Sequence, residues 1–401
     1  MRKNIWLTLI ISLFFSMTFL NVNLALASSL SGSSCKKFGS ITHQGNQTFT
    51  CLRAGTKLTW SLGSKKTSQA STTSDNANMP VPPTSFFDLF DHRNGIAYGA
   101  WSKFSTILKS QPKVMPTIET YHGPNTSVYV KDPTLDFKFT SRLFPNVELP
   151  KKIVIIYWSN NDMNWATNKA TELMGQAEMQ KIIDETGGPF VDCYMPTNCN
   201  VGHAHIGPDG TAYIGLGNPD NVQGDKNFPL GQKEEIEFYH ALQLMYYFKN
   251  HSPITTKDNK PSSNFPPAWL NMAGENFTFD AMRFENDYKG FSSAQNFTGW
   301  MNQIGHPVTP DWLDNYLNIK NLNNDWSLNG FKNVADNNCF GSSIVEILVS
   351  LKGPSVLLDF HDQMSQGKSF QDAFKTEFGT SWEEAAPVIS KVIYDKYKNN
   401  Y

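Results

Sequence analysis

Hydrophobic residues follow two different spacings along this chain, and the change comes after its middle. Lys151 to Trp158 form a nearly continuous apolar run, which is typical of a buried strand. Residues 202–216 alternate around Pro208-Asp209-Gly210 and predict a β-hairpin. Beyond Pro266-Pro267 the pattern is almost entirely helical, and Gly353-Pro354 separates two of the helices. Strands followed by helices predict an α+β fold.

Shorter segments predict four further features. Arg93 to Leu108 carries its apolar residues on one stripe and predicts a helix, whereas Leu135 to Thr140 alternates like a strand. Residues 161–185 begin with side chains suited to N-capping and predict another helix. Ser381 and Glu384 have the spacing of a capping box, so the last helix should begin there.

The first 27 residues have the three parts of a secretory signal. Arg2-Lys3 are basic, Ile5 to Leu20 are almost wholly apolar, and Ala25-Leu26-Ala27 is a small-x-small cleavage site. No later stretch approaches the ~20 apolar residues of a membrane span. We therefore expect a secreted, extracellular protein with no membrane span after signal removal, and the cell envelope is the alternative location.

The mature chain divides by composition into a small module and a larger folded part. The module has a hairpin pattern that Cys35 and Cys51 could close. It resembles a short cysteine-paired module found near the N-terminus of many bacterial exported proteins, which implies export rather than chemistry. The predicted segments are a signal peptide at 1–27, the module at 28–62, a Ser/Thr/Pro linker at 63–84, a strand-rich half at 85–230, and an active-site helix with a helical half at 231–401.

Charge and cysteine content narrow the class of protein. The 34 Lys and Arg residues nearly balance the 36 Asp and Glu residues, and no basic stripe favours nucleic acid. Five cysteines fit an oxidising compartment, and Cys193 and Cys199 could close a short loop. Cys339 is left over at the start of an apolar helix, so we expect a buried thiol there.

The strongest chemical signal is Ile236-Glu237-Phe238-Tyr239-His240. It has the spacing of the zinc-protease signature H-E-x-x-H, with isoleucine in place of the first histidine. Downstream, Trp269 begins a segment that places Met272 three residues later. These residues, together with the helical tail from Phe340 to Phe378, resemble bacterial gluzincin-type metallopeptidases.

That resemblance implies a zincin-like domain with a mixed sheet, an active-site helix and a helical subdomain. It also implies that Glu237 matches the general base and His240 the second zinc ligand. Ile236 and Met272 match the first and third ligands, and neither suits zinc. We therefore expect a degenerate site with no bound cofactor.

Two alternatives could restore a zinc site. Glu275 lies one helical turn beyond Met272 and could supply a carboxylate if the helix were shifted. His203 and His205 form an H-x-H whose rings point to one side of a strand, so His203, His205 and His240 could form a ligand set. Both alternatives also have a simpler explanation. Glu275 could be an ordinary polar residue at the rim of the cleft, and His203 and His205 could form a polar face of the sheet.

Three classes of function follow from these observations. The first is a secreted, catalytically inactive metallopeptidase-like protein that acts as a binding or scaffold protein for a peptide or an envelope partner. The second is an active zinc-dependent hydrolase with rearranged ligands and Glu237 as base. The third is a structural envelope protein whose cleft binds nothing.

Overall fold

The chain forms two separate compact units in this computed structural model, and the boundary falls between Asn78 and Met79. The predicted signal peptide and most of the predicted linker lie outside the described residues. The described residues are 33–36, 41–44, 47–54, 57–62, 79–128, 130, 132–186, 188–193, 199, 201–217, 232–254, 263–295, 304–321 and 331–399.

The first unit contains a three-stranded antiparallel sheet in the order β1-β2-β3. The predicted hairpin is confirmed, and it continues into a third strand. Cys35 is disulfide-bonded, and the side chain of Cys51 lies outside the described residues. The strands are β1 (Ile41–Gln44), β2 (Gln47–Ala54) and β3 (Lys57–Leu62).

The second unit is built on a four-stranded mixed sheet in the order β4-β5-β7-β6. Strands β4, β5 and β7 are parallel, whereas the edge strand β6 is antiparallel to β7. The predicted hairpin is confirmed, and Gly210 permits its turn by adopting φ +82°. The strands are β4 (Thr117–His122), β5 (Lys152–Trp158), β6 (Val201–Ile206) and β7 (Thr211–Gly217).

Twelve α-helices lie in the described part of the second unit. They are α1 (Ile96–Ile107), α2 (Thr134–Leu143), α3 (Met163–Met174), α4 (Gln176–Thr186), α5 (Gln232–Lys249), α6 (Ala268–Arg283), α7 (Tyr288–Ala294), α8 (Pro310–Tyr316), α9 (Phe331–Lys352), α10 (Val356–Ser365), α11 (Phe370–Phe378) and α12 (Trp382–Asn399). In this described part, none of these helices is both long and apolar enough to cross a membrane.

The sheet separates two hydrophobic cores. Helices α3 and α4 pack on one face with Val154, Ile156 and Trp158 of β5. Helix α5 packs on the other face, where Ile153, Ile155 and the remaining helices form the larger core. Alternate residues of β5 therefore enter different cores, which explains why its sequence is apolar from Ile153 to Trp158.

Two of the predicted elements need correction. The segment from Leu135 to Thr140 is not a strand but part of helix α2, in which Leu135 is exposed while Phe137 and Phe139 are buried. Six alternating residues were too few to separate the two periods. The single helix predicted over 161–185 is two helices, because Gly175 interrupts it at φ +87°.

The capping box of the last helix is confirmed. The Ser381 backbone N–H donates to the Glu384 carboxylate at 3.1 Å, and the Glu384 N–H donates to the Ser381 hydroxyl at 3.2 Å. Two N–H groups without intrahelical partners are thereby satisfied at the start of α12.

Candidate functional site

Helix α5 carries Glu237 and His240 between the sheet and the helical half. It packs on β6 and β7 on one side and on α2, α6 and α10 on the others. Phe238, Tyr239 and Leu242 are fully buried in these contacts. The polar residues of α5 are therefore held in fixed positions by the apolar ones.

Both ring nitrogens of His240 have partners. Nδ1 lies 2.7 Å from Oε1 of Gln243, and Nε2 lies 2.6 Å from Oε2 of Glu275 on α6. The side chains of His240 and Glu275 are only 20% and 19% exposed. Burial disfavours the charged ring, but the hydrogen bond and negative charge of Glu275 outweigh it and raise the pKa of His240 to about 9. The pair is therefore an imidazolium–carboxylate ion pair at neutral pH.

Glu237 points from α5 to the edge strand β6. Its residue surface is 7% exposed, and burial raises the pKa of its carboxyl to about 7, although the positive charge of His240 opposes the shift. A Cβ atom on Gly202 would lie 2.2 Å from Oε1 of Glu237. Any larger residue at position 202 would therefore force this carboxyl to move away from the strand.

The two positions that match the first and third zinc ligands in the resemblance carry no carboxylate or imidazole. Ile236 presents a hydrocarbon, and the sulfur of Met272 lies 3.8 Å from Nδ2 of Asn337. Glu275, rather than the residue at the position of Met272, contacts His240. Of the residues predicted from sequence, the structure thus brings Glu275 and His240 together on facing helices.

Two further carboxyls of α5, those of Glu234 and Glu235, are buried beside the site and were not among the residues predicted from the sequence. Glu235 is fully buried, and its Oε2 has no hydrogen-bond partner among the described residues. Burial, with added repulsion from Asp136, raises the pKa of Glu235 well above its usual range. Glu234 accepts a hydrogen bond from the Tyr157 hydroxyl at 3.1 Å. Adjacent glutamates in a first helical turn usually indicate only a favourable helix dipole, so the sequence carried no sign of burial.

His203 and His205 lie on strand β6 and point to the same side, as the H-x-H spacing predicts. His203 Nε2 is 2.8 Å from Asp192 Oδ1, and His205 Nε2 is 2.8 Å from Glu178 Oε1 on α4. Gly202 faces Glu237 on α5, so the two histidines lie on the opposite face of the sheet. The structure does not assemble them with His240.

The cysteines of the second unit behave as structural groups. Cys193 and Cys199 form a disulfide that closes a short loop beside Asp192. Cys339 is a free thiol that is 4% exposed, and burial raises its pKa to about 12. A thiol with this pKa is protonated and unreactive at neutral pH.

The structure brings together one imidazole and one carboxylate of the predicted ligand sets. A catalytic zinc site has three protein ligands at about 2.0–2.3 Å, and the arrangement around His240 supplies one imidazole and one carboxylate, which are bonded to each other. Within the described ranges, no three His, Cys, Asp or Glu side chains are grouped so that they could hold a metal ion.

Comparisons with known proteins found no relative of this chain. The chain matches no family model, no curated protein and no solved structure. The resemblance to gluzincins therefore rests on the residues of this chain alone.

Proposed function

We propose that this chain is an exported, gluzincin-like protein in which an internal ion pair replaces the catalytic metal, and that its cleft binds a peptide without hydrolysing it. The observation that carries this proposal is the 2.6 Å contact between His240 Nε2 and Glu275 Oε2. The nitrogen that would bind zinc in an active relative is instead bonded to a carboxylate. Ile236 and Met272 occupy the positions that match the other two zinc ligands.

The geometry around the pair supports this proposal. Glu237 matches the general base of the resemblance, and it faces β6, which is an edge strand of the sheet within the described residues. Edge strands of this kind can bind an extended peptide by adding it to the sheet. In zinc-dependent peptide hydrolysis the nucleophile is a water molecule that the metal activates. Without the metal, a general base alone does not complete the reaction. In this proposal the hydrolytic machinery is incomplete, and recognition of a peptide depends on the surface beside β6.

Metal analysis and a gain-of-ligand variant test the proposal. The mature protein, refolded or purified without chelator, should contain far less than one zinc per chain and should not cleave unstructured peptides. Ile236→His restores an imidazole one turn before His240, and with His240 and Glu275 it completes a three-ligand set. We expect this variant to bind zinc stoichiometrically, as measured by elemental analysis.

Matched variants separate the possible outcomes. Ile236→Leu should remain free of zinc, and Ile236→His with Met272→Glu tests whether the position of Met272 can also supply the carboxylate. Stoichiometric zinc in the wild-type protein, or peptide cleavage abolished by a chelator, contradicts the proposal and favours the rearranged zinc hydrolase. Saturable binding of uncleaved peptides, followed by fluorescence anisotropy, distinguishes a binding protein from a purely structural one.

A further inference from the structure

Strand β4 forms the edge of the four-stranded sheet opposite to β6. Within the described residues it pairs only with β5. Thr117, Thr120 and His122 are exposed along its length. An edge strand carries N–H and C=O groups on its outer side that can pair with a further strand. This edge is separate from the candidate site, which lies beside β6.

The ladder with β5 shows which backbone groups of β4 point outward. The Gly123 backbone N–H donates to the Tyr157 carbonyl at 3.0 Å, so residue 123 directs its backbone groups toward β5. Successive residues of a strand direct these groups to opposite edges. Ile118, Thr120 and His122 therefore direct their N–H and C=O groups outward. In the part of the chain that the structure describes, no further group is hydrogen-bonded to them.

Strand β4 lacks the features that usually protect such an edge. Between Thr117 and His122 it contains no proline or lysine, and its register with β5 continues through all six residues without a bulge. Its one carboxylate, that of Glu119, is paired with Lys152 of β5, with Nζ 2.8 Å from Oε2. This carboxylate is thus compensated within the chain.

The outer side of β4 is complementary to a second copy of itself. Two copies can run antiparallel about a two-fold axis that passes through Thr120. Thr120 then lies opposite Thr120 of the second copy, and Ile118 lies opposite His122 of the second copy. All of these residues direct their backbone groups outward, so each pair exchanges two N–H···O=C hydrogen bonds.

The side chains favour this register over its neighbours. An axis one residue earlier would place Glu119 opposite Glu119 of the second copy, and like charges opposite each other are destabilising. An axis one residue later would bring the two Tyr121 rings together, each with a Lys169 ammonium 5.3 Å from its centroid. With the axis at Thr120, Glu119 lies opposite Tyr121, whose hydroxyl already donates to that carboxylate within one chain at 3.0 Å.

We propose that two copies of this chain form a dimer through β4, in which their two four-stranded sheets become one continuous sheet. The contact is a narrow one made mainly by the backbone. Interfaces of this size are weak, so the dimer should dissociate on dilution. Sedimentation velocity of the full mature chain at concentrations up to about 500 μM measures this equilibrium.

Charged variants of Thr120 test the position of the axis. Thr120→Lys places two ammonium groups opposite each other and should weaken dimerisation at least about tenfold, and Thr120→Glu should do the same with two carboxylates. An equimolar mixture of the two variants brings opposite charges together. Dimerisation in that mixture should return to within about threefold of the wild-type value.

Thr117→Lys is the matched control, because Thr117 is also exposed on β4. It lies three residues from the axis, so its two copies would be about 20 Å apart. That distance exceeds the Debye length of about 8 Å at physiological ionic strength, and dimerisation should be unchanged.

Four results would overturn the proposal. The first is a wild-type chain that is monomeric at about 500 μM. The second is an equal effect of Thr117→Lys and Thr120→Lys, and the third is a mixture of the Thr120 variants that stays monomeric. The fourth is protection of the Thr120 amide from hydrogen exchange in the monomer, which would show that another segment of the same chain occupies the edge.

Discussion

At the scale of single residues, the candidate site is defined by one carboxylate. Glu275 holds the His240 ring in its charged form and occupies the nitrogen that a metal would need. The ion pair is mostly buried, so its hydrogen bond is a charge-assisted one that solvent screens weakly. Loss of the ion pair should therefore change both the free energy of unfolding and the pKa of His240.

Replacing Glu275 with glutamine should lower the pKa of His240 and destabilise the protein by about 2 kcal/mol near pH 6. Because the folded pKa of about 9 lies above the usual value of 6.5, the stabilising effect is complete below pH 6.5 and is lost as pH rises through 9. The two proteins should thus converge in stability above that pH. Histidine NMR titration and urea unfolding at several pH values measure both effects.

Glu285→Gln is the matched control for this change. Glu285 pairs with Arg142 at 3.6 Å and is 30% exposed. Such a pair contributes less than about 1 kcal/mol. An unchanged titration of His240 in Glu275→Gln would show that the ion pair does not form in solution.

At the scale of elements, the closest fit in the site is between α5 and strand β6. A side chain at position 202 would collide with the carboxyl of Glu237 in its present position, so the glycine allows the strand and this buried side chain to lie in close contact. The contact also fixes which face of β6 meets the helix. His203 and His205 therefore lie on the opposite face of the sheet, where they contact Asp192 and Glu178.

Gly202→Ala should therefore destabilise the protein by about 1–3 kcal/mol through overpacking. The added Cβ would lie within 3.0 Å of three atoms of Glu237. Combining it with Glu237→Ala should recover much of that loss, because the colliding atoms are removed. Gly305→Ala, where the Cβ would meet nothing within 4 Å, is the control and should change stability little. Additive effects of the two substitutions would contradict the steric explanation.

The elements themselves were largely predictable, whereas the pairing within the site was not. The apolar run of β5, the hairpin and helix α5 follow from local spacing and turn chemistry. The spacing from Trp269 indicates Met272 as the residue at the ligand position. The residue that contacts His240 depends instead on the position and rotation of α6 relative to α5. That register is set by a tertiary contact, since a Cβ on Gly274 would lie 2.3 Å from the Tyr239 hydroxyl.

At the scale of the whole molecule, the chain has two units with separate internal contacts. The second unit has its own sheet, two cores and an internal disulfide. The composition of 63–84 predicted a boundary in this region, and the second unit begins at Met79, within that range. Composition could not place the boundary more closely because residues 79–84 are proline-rich, as a linker would be, while already belonging to the folded unit.

A chain of residues 79–401 should consequently fold without the first unit. We expect its thermal midpoint to lie within a few degrees of that of the mature protein, because it retains the whole of both cores. Calorimetry and near-UV circular dichroism measure this. A chain that begins at residue 124 lacks β4 and α1 and should not unfold cooperatively. Loss of cooperative unfolding in the 79–401 chain would instead show that its stability depends on the first unit.

The free thiol of Cys339 sits on the inner side of α9, among the residues of the larger core. An alkylating reagent can reach it only after that helix leaves its neighbours. The rate at which the thiol is modified thus measures how often the helical half opens under native conditions. No label has to be introduced for this measurement.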